Sequence, residues 1–182
     1  MGKIKGLYIR KGLTTNMFVL YFGGQKSGKS KLAEKKAIKL AAKTNKKPFY
    51  VATYDDSYFD DEMKDRVNAH KKQRKNNFTT IEEITNLPKV IKDNETYLID
   101  CVSMWILNNI NHDLKVLLKQ LKKLKKRNSN IIFVLNDVNS GVIPLDKLSR
   151  RYVDTTGIIG QKIAKMSDEV YEVKLGFSQK IK

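Results

Sequence analysis

Residues 23–30 read Gly23-Gly24-Gln25-Lys26-Ser27-Gly28-Lys29-Ser30. This is G-x-x-x-x-G-K-S, and its flanks decide the fold. The apolar run Met17-Phe18-Val19-Leu20-Tyr21-Phe22 enters it, and a helical pattern with Leu32, Lys36 and Leu40 leaves it. A strand, a glycine-rich turn and a helix in that order make a phosphate loop. Glycines let the backbone wrap closely around a polyphosphate, whose charge is met by backbone N–H groups and the helix N-terminus. Lys29 is expected to reach the β- and γ-phosphates and Ser30 to ligate Mg²⁺. The motif establishes nucleotide triphosphate binding and leaves the acceptor open.

Outward from the loop, short apolar runs rich in β-branched and aromatic residues alternate with helical stretches. Strands are expected at 17–22, 48–52, 96–99 and 131–135. Helices are expected near 28–43, 60–74, 102–110, 113–127 and 146–166, the last with possible breaks at Gly157 and Gly160. Segments 169–174 and 177–181 flank Gly176 as a hairpin. The alternation predicts an α/β fold of the P-loop NTPase type: a mostly parallel sheet, helices on both faces and a C-terminal β-hairpin. Residues 1–16 are basic and aperiodic and read as a flexible extension, leaving 17–182 as one catalytic domain.

A P-loop site also uses a carboxylate at the end of a neighbouring strand. Asp100, closing Tyr97-Leu98-Ile99-Asp100, fits a place beside Mg²⁺ and the phosphates. It also fits a helix cap for the segment after Cys101. Asn136-Asp137 forms a second polar pair at the same edge.

The chain has 36 Lys and Arg against 19 Asp and Glu, a formal charge of +17 over 182 residues. Arginine stands only at 10, 66, 74, 127, 150 and 151, so lysine dominates. Arginine reads bases and forks phosphates, whereas dispersed lysine is mainly a solvated charge. A nucleic-acid partner is therefore not expected. On 113–127, Leu114, Leu117, Leu118, Leu121 and Leu124 share a face and lysines take the rest. That pattern suits an outer helix of an α/β domain, or a membrane-surface or partner-binding helix. No apolar run approaches the length of a membrane span. The single cysteine, Cys101, excludes an internal disulfide, and a cytoplasmic location is expected.

Of the two histidines, His112 lies in a turn before a helix. His70 follows the acidic helix start Asp60-Asp61-Glu62, with Arg66 one turn before it and Arg74 one turn after. Flanking cations lower an imidazole pKa and can hold a phosphate. The residues alone fit either a neutral nucleophile or a surface histidine.

The chain resembles the bifunctional adenosylcobinamide kinase / adenosylcobinamide-phosphate guanylyltransferase family over about Met17 to Lys182. The resemblance rests on GGQKSGKS, Tyr50-Val51-Ala52-Thr53, DDEM (60–63), Arg66-Val67-x-x-His70-x-x-x-Arg74 and Leu98-Ile99-Asp100-Cys101 with Asn108-Asn109. It continues in Asn136-Asp137-Val138, Gly141-Val142-Ile143-Pro144, and Asp154, Gly157, Gln161 and Ala164. The histidine motif and the 136–144 block are its more specific parts. It implies a RecA-like fold and a homotrimer. The implied activity is phosphorylation of the aminopropanol hydroxyl of adenosylcobinamide, with GTP as donor and ATP as an alternative. GMP is then transferred from GTP onto that phosphate through a guanylylated histidine, here His70. By the same matching, Ala52, Thr53, Tyr54, Lys71, Lys72, Gln73, Arg74, Glu82 and Asp100 take nucleotide-contact positions. This chain departs from the family pattern at Lys75 (usually proline), Asp137 (glutamate), Asn139 (glycine), Val153 (arginine) and Gly160 (asparagine). The phosphate loop, His70 and Asp100 are intact, so the departures bear on the acceptor more than on the nucleotide.

Overall fold

The computed structural model describes residues 16–55 and 76–182. The expected N-terminal extension up to residue 15 and the expected helix at 60–74 lie outside the described residues. The elements run β1 (Phe18–Gly23), α1 (Lys29–Ala42), β2 (Phe49–Ala52), β3 (Thr79–Glu82), β4 (Thr96–Asp100), α2 (Val102–Asn108), α3 (Leu114–Lys125), β5 (Asn130–Asn136), α4 (Lys147–Met166), β6 (Glu169–Lys174) and β7 (Phe177–Lys180). The strands form one seven-stranded sheet of order β3-β2-β4-β5-β1-β6-β7. Every pairing is parallel except the closing β6–β7 hairpin.

The strands are legible because central parallel strands are buried on both faces and read as continuous apolar runs. FVLYF in β1 and IIFVL in β5 are of this kind. Side chains alternate across the sheet. Val19, Tyr21, Leu98, Ile132 and Val134 pack beneath Ala33, Ala37 and Leu40 of α1. Phe18, Leu20, Ile99, Ile131 and Phe133 pack against Trp105 of α2, Leu117, Leu121 and Leu124 of α3, and Ile159 and Ile163 of α4. The alanines of α1 let that helix lie close over β1, β4 and β5. The leucine face of 113–127 is thus buried against the sheet, as an outer helix requires.

The structure corrects the sequence reading at two points. Helix α4 runs unbroken through Gly157 and Gly160. Both glycines lie where the helix is pressed closest: an added Cβ would come to 3.0 Å from Asn139 Nδ2 and 3.1 Å from Leu135 Cδ2, respectively. Strand β3 (TTIE) was not expected, because its residues are mostly exposed and carry no apolar run. It exists by pairing with the open edge of β2.

Helix α1 is tied to β6 by Lys36 Nζ, 2.5 Å from Glu169 Oε2, and Tyr171 Oη also donates to that oxygen. Burial by itself raises the Glu169 carboxyl. The hydrogen bond and charge of Lys36, with Tyr171 and Lys180 behind them, outweigh it and hold the group below its ordinary value. A carboxylate held low in the folded state contributes stability above its unfolded pKa of roughly 4.3, and loses it as pH falls through the folded value. Glu169→Gln is therefore expected to flatten the fall in stability on acidification below about pH 5. Urea unfolding at stepped pH reads this, and an unchanged acid slope would exclude the linkage. Among the described residues, no helix is long and apolar enough to cross a membrane.

Candidate active site

The phosphate loop follows β1 and opens α1. Gly28 has φ 96°, a left-handed conformation that glycine adopts without penalty, and an added Cβ there would sit 3.2 Å from Gly176 Cα. Gly176, at the tip of the β6–β7 hairpin, donates its N–H to the Ser27 carbonyl at 2.8 Å. The hairpin therefore braces the loop from the far end of the chain. At Gly23 an added Cβ would lie 2.3 Å from the Val173 carbonyl oxygen, which is backbone. Gly23→Ala is expected to cost about 3 kcal/mol by overpacking and to lower Tm by roughly 6–12 °C. Gly24→Ala meets open space and is the control. Equal Tm values for the two variants in calorimetry would refute the steric argument.

Lys29 is buried, and its Nζ donates to the Gly24 carbonyl at 3.0 Å. That bond uses one of its three N–H donors. Burial lowers the pKa of the ammonium; the nearby Asp100 carboxylate works in the opposite direction. Asp100 ends β4. Its Oδ2 accepts from the Tyr50 hydroxyl at 2.9 Å. It does not cap the following helix, because Cys101 takes the N-cap position. Nor is β4 the immediate partner of β1, since β5 lies between them. The carboxylate nevertheless falls within electrostatic reach of Lys29.

Strand register explains how distant residues converge. Glu82, Ala52, Asp100, Val134 and Tyr21 form one row across β3, β2, β4, β5 and β1. Val134, Tyr21 and Ala52 of that row pack on the α1 side of the sheet. Alternation puts the Glu82 and Asp100 positions on the same side. Three nucleotide-contact positions inferred from sequence thus lie in line, on the face that carries Lys29.

Thr53 is fully buried. Its Oγ1 donates to the Cys101 carbonyl at 2.7 Å and accepts from the Cys101 N–H at 2.9 Å. Its hydroxyl therefore joins the end of β2 to the end of β4. Asn108 extends the junction by donating to the Thr53 and Ile84 carbonyls at 2.8 and 2.9 Å. Sequence reasoning missed a second junction at the Thr85 carbonyl, which accepts from Trp105 Nε1, Asn109 Nδ2 and Gln120 Nε2. Its only sequence trace was the Asn108-Asn109 pair. Cys101 is half-buried, and its thiol is pushed up to about 11, first by desolvation and then by the Asp100 charge.

Residues 56–75 lie outside the described residues, so His70, Lys71, Lys72, Gln73 and Arg74 have no described position. Their segment is entered from the C-terminal end of β2, through Thr53 and Tyr54, beside Asp100. His112 precedes α3, whose N-cap is Asp113, and the His112 carbonyl accepts from Arg151 Nη2 at 3.1 Å.

Among the described residues, three of the departures meet: Asp137, Asn139 and Val153. Asn139 Nδ2 donates to the Val153 carbonyl at 2.9 Å, and the missing side chain of Gly157 leaves room for the amide. The asparagine thus clasps the loop after β5 to α4 at the position of the altered Val153.

A family model described as cobinamide kinase / cobinamide phosphate guanyltransferase matches residues 19–181. The chain belongs to this family. As a member of the cobinamide kinase / guanyltransferase family it is an enzyme with a P-loop fold. It is 33% identical over 175 residues to a bifunctional adenosylcobalamin biosynthesis protein, CobP, of Pseudomonas aeruginosa, covering 90% of this chain and 96% of that one. It is 27% identical over 191 residues to the bifunctional adenosylcobalamin biosynthesis protein CobU of Escherichia coli, covering 91% and 100%. A solved structure of the flagellar accessory protein FlaH of Methanocaldococcus jannaschii is similar at TM-score 0.47 and 14% identity, over 91% of this chain and 78% of that one.

The donor set also fits a nucleotide with Mg²⁺. Mg²⁺ is bound through one or two protein oxygens together with substrate phosphates, rather than by an all-protein cage. Ser30 lies in the first turn of α1 and Asp100 stands within electrostatic reach of Lys29. Ser27 Oγ is buried in the loop and makes no hydrogen bond among the described residues. A hydroxyl so placed is a ready donor to a phosphate oxygen.

Proposed function

We propose that this chain phosphorylates the aminopropanol hydroxyl of adenosylcobinamide and then transfers GMP from GTP to that phosphate, through a guanylylated His70, in cobalamin biosynthesis. The observation that carries the reading is the braced phosphate loop with buried Lys29 in electrostatic reach of Asp100, whose register row also holds Ala52 and Glu82. Family membership supplies the acceptor.

In the first step the acceptor oxygen bonds to the γ-phosphorus and the β–γ bridge breaks. The nucleoside diphosphate leaves and the hydroxyl proton goes to solvent. Lys29 and the loop N–H groups hold the phosphates and meet the charge that develops on the leaving oxygen. Mg²⁺, when held by Ser30 and Asp100, neutralises charge on the phosphates. GTP is the donor, and ATP is an alternative. In the second step a His70 ring nitrogen bonds to the α-phosphorus of GTP and pyrophosphate leaves into the Lys29 cradle. An oxygen of the acceptor phosphate then bonds to that phosphorus, the N–P bond breaks and His70 is restored. Ala52, Thr53, Tyr54, Glu82 and residues 71–74 form the guanylyl side of the site. The catalytic domain is 17–182, the assembly a homotrimer and the location cytoplasmic.

The test is to incubate the protein with adenosylcobinamide, GTP and Mg²⁺ and to weigh the corrinoid product. Successive gain of phosphate and of GMP is expected. Gain of phosphate alone would reduce the protein to a kinase, and unchanged adenosylcobinamide would refute the reading.

A further inference from the structure

We propose that the loop after β5 is the platform for the corrin macrocycle of the acceptor, with Val142, Ile143 and Leu145 as its contact surface. The inference rests on the acceptor named above and adds where that acceptor sits. The side chains of Val142, Ile143 and Leu145 are 95%, 77% and 98% exposed, and Leu148 on the first turn of α4 is exposed as well. Large apolar groups gathered this closely on a surface mark a binding site more often than chance.

The loop is built rather than loose. Asp137 accepts from the Asn139 N–H at 3.1 Å and from Ser140 Oγ at 2.6 Å. Asn139 is clasped to the Val153 carbonyl. Arg150 Nη1 donates to the Pro144 carbonyl at 3.0 Å and to that of Leu145. Asp146 caps α4 through the Ser149 N–H at 2.8 Å. The polar groups are turned inward to hold the backbone and the apolar side chains are left outward, an arrangement that lowers the ordering cost of binding.

Position and chemistry select the occupant. The root of the loop is in the phosphate site itself, where the Asp137 N–H donates to the Gly23 carbonyl at 2.9 Å. The cradle of glycines, Lys29, Ser30 and Asp100 is polar and offers nothing to a macrocycle. A corrin carries methyl groups and amide side chains around its rim. Val142, Ile143 and Leu145 suit the methyls, and the exposed Lys147 at the margin suits the amides. A ring seated on this surface can send its aminopropanol arm along the loop toward Gly23 and the γ-phosphate. The chain's own departures at Asn139 and Val153 fall in the clasp of this platform, where an acceptor rather than a nucleotide is affected.

The test uses the full chain with Val142→Asp and Leu145→Asp, at positions so exposed that folding is not at stake. Steady-state kinetics are measured for both substrates. Binding of coloured cobinamide is measured by equilibrium dialysis, and assembly mass by light scattering. The KM for adenosylcobinamide is expected to rise about tenfold or more in each variant, with weaker dialysis binding, an unchanged KM for GTP and an unchanged mass. Loop-dependent cobinamide binding without any turnover would leave the platform standing and remove the activity reading. Turnover with wild-type KM in both variants would remove the platform and leave the activity. Failure of the wild-type protein to bind cobinamide would refute both. A changed mass with both KM values altered would make the surface an interface between copies and overturn the proposal.

Discussion

Lys29→Ala is expected to lower both phosphorylation of adenosylcobinamide and guanylyl transfer by about a thousandfold or more. Both reactions expel a phosphate leaving group, a nucleoside diphosphate in one and pyrophosphate in the other. In the proposed scheme both leaving groups rest in the same cradle. A fixed ammonium in a water-poor site meets their developing charge without reorganising. Lys29 is buried, and its Nζ is held by the Gly24 carbonyl within the loop it serves. The fold should tolerate the change, because α1 is anchored by Ala33, Ala37 and Leu40 over the sheet and by the Lys36–Glu169 pair. Activity should consequently fall while Tm stays near that of the parent. Initial rates for both half-reactions, with calorimetry alongside, read the outcome. Guanylylation at a near-normal rate would mean that a second nucleotide site serves the transfer.

The phosphate loop was legible because its chemistry demands particular residues at particular spacing, whatever surrounds them. The central strands were legible because two-sided burial writes an apolar run into the chain. The rest depended on partners far along the sequence. Nothing in TTIE announces a strand; β2 makes it one. Asp100 reads as a carboxylate at the end of a strand, but that strand lies one place beyond the neighbour of β1, and only the sheet order shows it. The resemblance assigns Thr53 to the nucleotide, while its hydroxyl is engaged on both polar groups of Cys101. Asn139 read as a departure from the family pattern, and its bond to Val153 beside Gly157 turns that departure into a contact. The possible breaks at Gly157 and Gly160 failed for a related reason, since a glycine also serves where a helix must approach its neighbour closely.

His70→Ala is expected to lower guanylyl transfer by at least about a thousandfold while phosphorylation of adenosylcobinamide stays within about tenfold of the parent rate. The two steps differ in their attacking atom. In the kinase step it is the acceptor's own oxygen, and the protein contributes position and charge through the loop and Lys29. In the transfer step we assign it to a neutral imidazole nitrogen of His70. Arg66 and Arg74 stand four residues to either side in the sequence, and positive neighbours favour the neutral ring. The reverse order of loss, with the kinase step failing and the transfer step surviving, has no route in this scheme. His112, the other histidine, is not expected to substitute. It lies before α3, where its carbonyl is held by Arg151, in a different connection from the one that leaves β2 beside Asp100. The intermediate has a chemical signature, because a phosphoramidate N–P bond is labile in acid and stable in base. Protein incubated with [α-³²P]GTP should carry label that acid removes, and the alanine variant should carry none. Label on the variant, or acid-stable label on the parent, would exclude His70 as the nucleophile. Acid-labile label on the parent that chases into the corrinoid when adenosylcobinamide phosphate is added would establish the intermediate as competent.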